Sequence, residues 1–195
     1  MVVIVSPMLR TLQTATVALD WLRDKGVRFV ADADWQGMLR TVLKTRHFSV
    51  TQELMVSAEN GIQPCDTGRK LTPDFTSRFP HVDFSHVDPV WPDKTSPAGA
   101  RYAMTSEAIV ERGRLGLEAL HARKEKVVFV VSHSAFLRAG VTRSWFFNAD
   151  YRIFEFQGDE LDNGRRKIIQ DESTVTGGLG WSRTEKVELG EMLVI

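Results

Sequence analysis

Two short, wholly apolar runs constrain this chain more than anything else in it, because each ends abruptly in a polar turn that leads into a helical pattern. Val2-Val-Ile-Val5 breaks at Ser6-Pro7, and Val127-Val-Phe-Val-Val131 breaks at Ser132-His133-Ser134. Continuous β-branched runs of this length read as strands covered on both faces, the pattern of a parallel sheet. Parallel strands need crossovers, and helices usually supply them. Leu12, Ala15, Leu19 and Leu22 follow Pro7 at helical spacing, with Ser6 suited to the cap, Pro7 to the first position and Lys25-Gly26 to the end. Val27 to Ala31 predicts a second strand. Ser106 to Arg123 returns to helix with Val110, Gly113, Leu117 and Leu120 on one face, and Ala135 to Val141 is a further helical stretch. Tyr151 to Gln157 alternates as a strand does, and Asn163-Gly164 signals a hairpin.

Between Asp32 and Asp93 no period is sustained, so this stretch is expected to be a long, loop-rich excursion; the last fifteen residues are ambiguous. Strands alternating with helices predict an α/β three-layer sandwich, α/β/α, with a mainly parallel sheet. At 195 residues, without a repeat or a sharp shift in composition, residues 1–195 are expected to form a single domain.

Charge narrows the function classes. Twenty-five basic side chains face 25 acidic ones, which leaves no footprint for nucleic acid or an anionic membrane. No apolar run approaches the roughly 18 to 20 residues of a membrane span. Met1 to Val5 has no basic front, and Cys65 is the only cysteine, so neither a secretory signal nor a disulfide framework is read. The expectation is a protein of a reducing compartment, cytoplasm or nucleus, with no nucleic-acid and no membrane partner.

In sheets of this kind, ligands gather beyond the carboxyl ends of the strands. Arg10 falls in the first turn of the first helix, where its planar fork of donors suits a phosphate or carboxylate, and His133 occupies the corresponding place after the second apolar run. If those strands are neighbours, the two converge on one anion. Other polar residues read more plainly. His81-Val-Asp-Phe-Ser-His86-Val-Asp88 is expected to be a solvated loop, Cys65 a packing or loop thiol, and the chain has no G-x-S-x-G elbow for a serine hydrolase.

These residues carry a family resemblance. Ser6-Pro-Met-Leu-Arg-Thr-Leu-Gln-Thr-Ala15 resembles the S-P-x-x-R-x-x-Q-T-A segment of the histidine phosphatase superfamily, also called the phosphoglycerate mutase-like family, and Val131-Ser-His-Ser134 resembles its second histidine motif. Gln52-Glu53 with Pro64-Cys-Asp-Thr-Gly68, and Phe147-Asn-Ala-Asp-Tyr-Arg152, look like the fungal branch of that family. The resemblance spans Met1 to Phe156 and leaves 157–195 as a C-terminal extension.

The resemblance implies hydrolysis of a phosphorylated small-molecule substrate, a phosphomonoester, through a phosphohistidine, with no cofactor and no metal. Arg10 would be a phosphate-pocket arginine, His133 the second histidine that steadies the phosphoryl group, and Glu53 the acid that protonates the leaving oxygen. The family's nucleophile lies in an Arg-His-Gly motif upstream of the S-P-x-x-R segment. This sequence starts five residues before Ser6, so an N-terminally truncated version of the fold is expected. Arg46-His47 precedes Phe48 and comes after Arg10, out of order for the role, and Ser134 stands where glycine commonly follows the second histidine. Two readings stay open here, a phosphatase and a phosphate-binding pseudoenzyme.

Overall fold

The computed structural model describes residues 1–38, 71–177, 181–183 and 185–191. Glu53, Cys65 and Arg46-His47 lie outside these residues.

Strand β1 is Val2–Val5, and every one of its residues is buried. It pairs in parallel with β2 (Arg28–Ala31) on one side and with β4 (Val128–Val131) on the other, and β2 pairs in parallel with β3 (Val82–Asp83). The described central sheet therefore runs β3-β2-β1-β4, all parallel. Successive side chains leave a strand on opposite faces, which divides the core in two. Val3, Val5, Phe29 and Ala31 meet Leu12, Ala15 and Leu22 from α1 (Leu9–Ala18) and α2 (Asp20–Asp24), and Phe75 from α3 (Pro73–Ser77). Val2, Ile4 and Val30 meet Ile109 and Leu117 from α4 (Ser106–His121), and Phe136 from α5 (Ser134–Phe136), which runs on into a wider turn over Leu137–Thr142. Helices thus flank a parallel sheet on both faces, the α/β arrangement expected.

Several local expectations are corrected. The first helix begins at Leu9 with Met8 at its cap, because the Ser6 hydroxyl is committed elsewhere and reaches Met8 N only at 3.4 Å. It also breaks at Leu19, where the Asp20 carboxylate accepts from Trp21 N at 2.6 Å and starts a new short helix; a local side-chain acceptor of this kind competes with the helical ladder. Gly26 closes that helix at φ +72°, the left-handed conformation glycine adopts freely. β3 lies within the stretch expected to be loop, since two residues cannot show a period. β4 reads as fully buried, yet each of its residues is only half-buried, because it forms the edge of the described sheet.

Beyond the sheet, β5 (Phe154–Asp162) and β6 (Arg165–Gln170) form an antiparallel hairpin across Asn163-Gly164, whose φ values of 51° and 76° give the turn its twist. The hairpin strand starts at Phe154, not Tyr151. Arg166 grips Glu118 of α4 through two bonds of 2.8 Å and ties the hairpin to the helical layer.

Candidate functional site

The register of β1 and β4 builds the site. Val5 lies opposite Val131, and Ser6 N donates to Val131 O at 3.0 Å, so the two chains leave the sheet side by side. Ser6 Oγ and His133 Nε2 are then 3.0 Å apart, joining segments 127 residues distant in sequence. The Thr11 hydroxyl donates to Ser6 O at 2.9 Å and Met8 O at 2.7 Å, which pins the turn between β1 and α1. Arg10 follows in the first turn of α1, where the free N–H groups of the helix add partial positive charge.

A strap from the neighbouring strand closes the other side. After β2, Asp32 caps a short turn over Ala33–Trp35 by accepting from Asp34 N at 2.9 Å. Ser132 Oγ donates to Trp35 O at 2.8 Å, so the residue beside His133 holds the strap. Gly37 N reaches Met8 Sδ at 3.3 Å, and a Cβ at Gly37 would sit 2.9 Å from His133 Cγ and 3.0 Å from Nδ1. Only glycine lets the strap lie this close to the ring. Lys94 brings its charge to the same ring from the segment before α4.

This enclosure decides the state of the imidazole. Burial is the main cause that pushes the His133 pKa down to about 3, and the nearby cations Arg10, Lys94 and Arg112 push in the same direction. At neutral pH the ring is uncharged. It offers one donor and one acceptor within a cationic surround, and an arriving dianion would favour its protonation.

The structure brings Arg10 and His133 to one corner of the sheet, as the sequence predicts. Glu53, the third predicted residue, lies outside the described residues. Lys94, Gly37 and Arg112 belong to this corner and were not anticipated; Lys94 and Gly37 fall in aperiodic sequence. Arg112 did leave a signal, a charged residue on the face of α4 that also carries Ile109 and Leu117.

A cleft of about 130 Å³ opens farther along the same edge, lined by Asp32, Asp34, His86, Asp88, Arg101 and Tyr102. Burial raises the Asp32 carboxyl above its ordinary range, while Arg101 Nε holds Asp34 at 2.7 Å and Tyr102 Oη donates to Asp88 at 2.9 Å. The His81 to Asp88 stretch is thus more structured than a solvated loop, with His81 Nε2 3.1 Å from Thr16 Oγ1. Among the described residues, no three histidine, cysteine, aspartate or glutamate side chains are grouped to hold a metal, and no helix is long and apolar enough to cross a membrane.

Comparison with known proteins bears on the family. The chain is 32% identical over 153 residues to a phosphoglycerate mutase-like protein of Arabidopsis thaliana, covering 69% of this chain and 50% of the relative. It is 34% identical over 141 residues to phosphoglycerate mutase-like protein 1 of the same plant, covering 69% and 48%. These similarities support the histidine phosphatase superfamily. The parallel sheet flanked by helices is the α/β fold consistent with phosphoglycerate mutase-like proteins. The chain spans about half the length of the curated relatives it matches. No family model and no solved structure matches it.

Proposed function

We propose that the corner built by Ser6, Arg10 and His133 binds the phosphate of a phosphorylated small molecule, and that the chain acts as a phosphomonoesterase of the histidine phosphatase type. The contact that carries this reading is the one between Ser6 and His133, because it fixes the histidine beside the helix turn that presents Arg10. Phosphoryl transfer asks little covalent chemistry of a protein and much positioning and charge. Arg10 offers a planar pair of donors to two phosphoryl oxygens, Lys94 adds a point charge, and the neutral His133 ring donates a hydrogen bond to a third. In the family that the sequence resembles, a histidine forms the new bond to phosphorus as the ester P–O bond breaks, Glu53 would give its proton to the leaving oxygen, and water then displaces the histidine to release phosphate. That nucleophile is a histidine in the resemblance, and these 195 residues contain no Arg-His-Gly sequence. Phosphate binding therefore rests on Arg10, Lys94 and His133, and turnover on a histidine nucleophile as the resemblance implies it.

The test is hydrolysis of p-nitrophenyl phosphate by the folded chain beside His133→Ala. Turnover abolished by the substitution supports the phosphomonoesterase. A folded chain that binds phosphate without turnover supports the second reading, a phosphate-binding module. Turnover unchanged in His133→Ala contradicts the site.

A further inference from the structure

We propose that Arg112 is a positioning residue for His133, setting the ring through the strap 34–37 and standing as a fixed cation behind the phosphate site. The inference rests on the proposed role of His133 in holding phosphate.

Arg112 is 1% exposed and sits on the buried face of α4. Its Nη1 donates to two strap carbonyls, Asp34 O at 3.2 Å and Gln36 O at 3.1 Å. Its Cζ lies 4.5 Å from the ring centre of Phe136, three residues beyond His133. Nε finds no acceptor and the guanidinium forms no ion pair among the described residues, the Asp34 carboxylate being taken by Arg101. A guanidinium removed from water without a carboxylate is costly. Two loop carbonyls are a small return for that cost, unless what they hold in place matters.

What they hold is the wall of the pocket. Gln36 is fixed from several directions at once: its backbone carbonyl by Arg112, its Oε1 by Trp91 Nε1 at 2.9 Å, and its Nε2 by donation to Tyr102 O at 3.3 Å. The next residue is Gly37, where a Cβ would lie 2.9 Å from Cγ, 3.0 Å from Nδ1 and 3.3 Å from Cδ2 of His133, over the face of the ring. Ser6 meets the edge of the ring at Nε2. The imidazole is thereby held by Ser6 at its Nε2 edge and covered by Gly37 on its face, and Arg112 sets the position of that cover. The path runs from the guanidinium to the Gln36 carbonyl through a hydrogen bond, and along the chain to Gly37, which leaves no room for a Cβ against the imidazole. Arg112 also belongs to the set of cations facing the ring, with Arg10 and Lys94, so one side chain supplies both geometry and charge.

The experiment uses the full chain with ¹⁵N-labelled histidine, the His133 ring signals being assigned by their loss in His133→Ala. Inorganic phosphate is the probe, titrated by calorimetry at neutral pH. Wild type is expected to show one defined tautomer and saturable phosphate binding. Arg112→Met, checked as folded by circular dichroism, is expected to move both ring-nitrogen signals toward exchange-averaged values and to weaken phosphate binding about tenfold, the equivalent of one hydrogen bond. Arg112→Lys, which keeps the charge and one donor, should recover part of both. Gly37→Ala should disturb the same signals with Arg112 intact, and the double variant should be no worse than the more severe single one, as coupled sites behave. Arg112→Met with unaltered His133 signals and unaltered phosphate affinity would overturn the proposal. If Arg112→Met does not fold, Gly37→Ala decides: ring signals unmoved by it overturn the proposal. A folded wild type that binds no phosphate contradicts the functional reading instead, and the ring signals still decide whether Arg112 positions His133.

Discussion

His133 shows what a single side chain owes to its surroundings. An imidazole in water titrates near pH 6.5; this one is walled in by Ser6 and Gly37 and faced by three cations, and titrates at about 3. The native state therefore binds fewer protons than the unfolded chain between those values, so stability rises with pH across that window. The contribution is complete above about pH 6.5 and falls away as pH drops toward 3, on the order of a few kcal/mol in all. Urea unfolding at pH 7.5 and pH 4.5 should show wild type losing more stability on acidification than His133→Gln, and equal losses would remove His133 as the source. Legibility at this scale divides by mechanism. Arg10 and His133 stood out because each follows a strand-like run at the end where ligands collect, a local pattern. Gly37 and Lys94 did not, because a strap pressed against a ring from 96 residues away leaves no mark in its own neighbourhood.

Among the elements, α4 bears the closest packing. A Cβ at Gly113 would lie 1.7 Å from the carbonyl oxygen of Gly140, a backbone atom that cannot turn aside. Gly113→Ala must push α4 away from the turn that follows His133, and a loss of about 2 to 4 kcal/mol in chemical unfolding is expected. Less than about 0.5 kcal/mol would show that the contact yields easily. The start of α4 is set by Thr105, whose hydroxyl accepts from Ala108 N at 3.2 Å, and Thr105→Ala should cost about 1 kcal/mol without touching phosphate binding. Strands β1, β2 and β4, helix α4 and the hairpin turn were readable because each is long or chemically distinctive enough to carry its own signal. Period alone does not say where a strand lies in its sheet, which is why Val128 to Val131 reads as central and stands at the described edge. A two-residue strand such as β3 is created by its partner β2, and no sequence pattern announces it.

For the whole molecule, the parallel strands β1 and β4 bring Ser6, Arg10 and His133 to one end of the sheet. Alternation along β1 seals both cores at once, with Val3 and Val5 on one face and Val2 and Ile4 on the other, so the strand that delivers Ser6 is also the least exposed of the described strands. Burial of such residues contributes roughly 1.5 to 3 kcal/mol each before entropy is counted. The candidate site thus stands at the end of a fully buried strand, the kind of support that places donors before a ligand arrives. The fold class was legible because two strand-turn-helix units suffice to imply a parallel sheet, and the similarity to phosphoglycerate mutase-like proteins agrees with it. The complete set of pocket residues was not legible, since it depends on crossings between distant segments. Whether Arg10 and His133 hold phosphate together is decided by calorimetric titration of inorganic phosphate into wild type, Arg10→Ala and His133→Ala. Saturable binding in wild type should weaken at least about tenfold in each variant; affinity left unchanged by both substitutions, or no binding by a folded wild type, would remove phosphate from this corner.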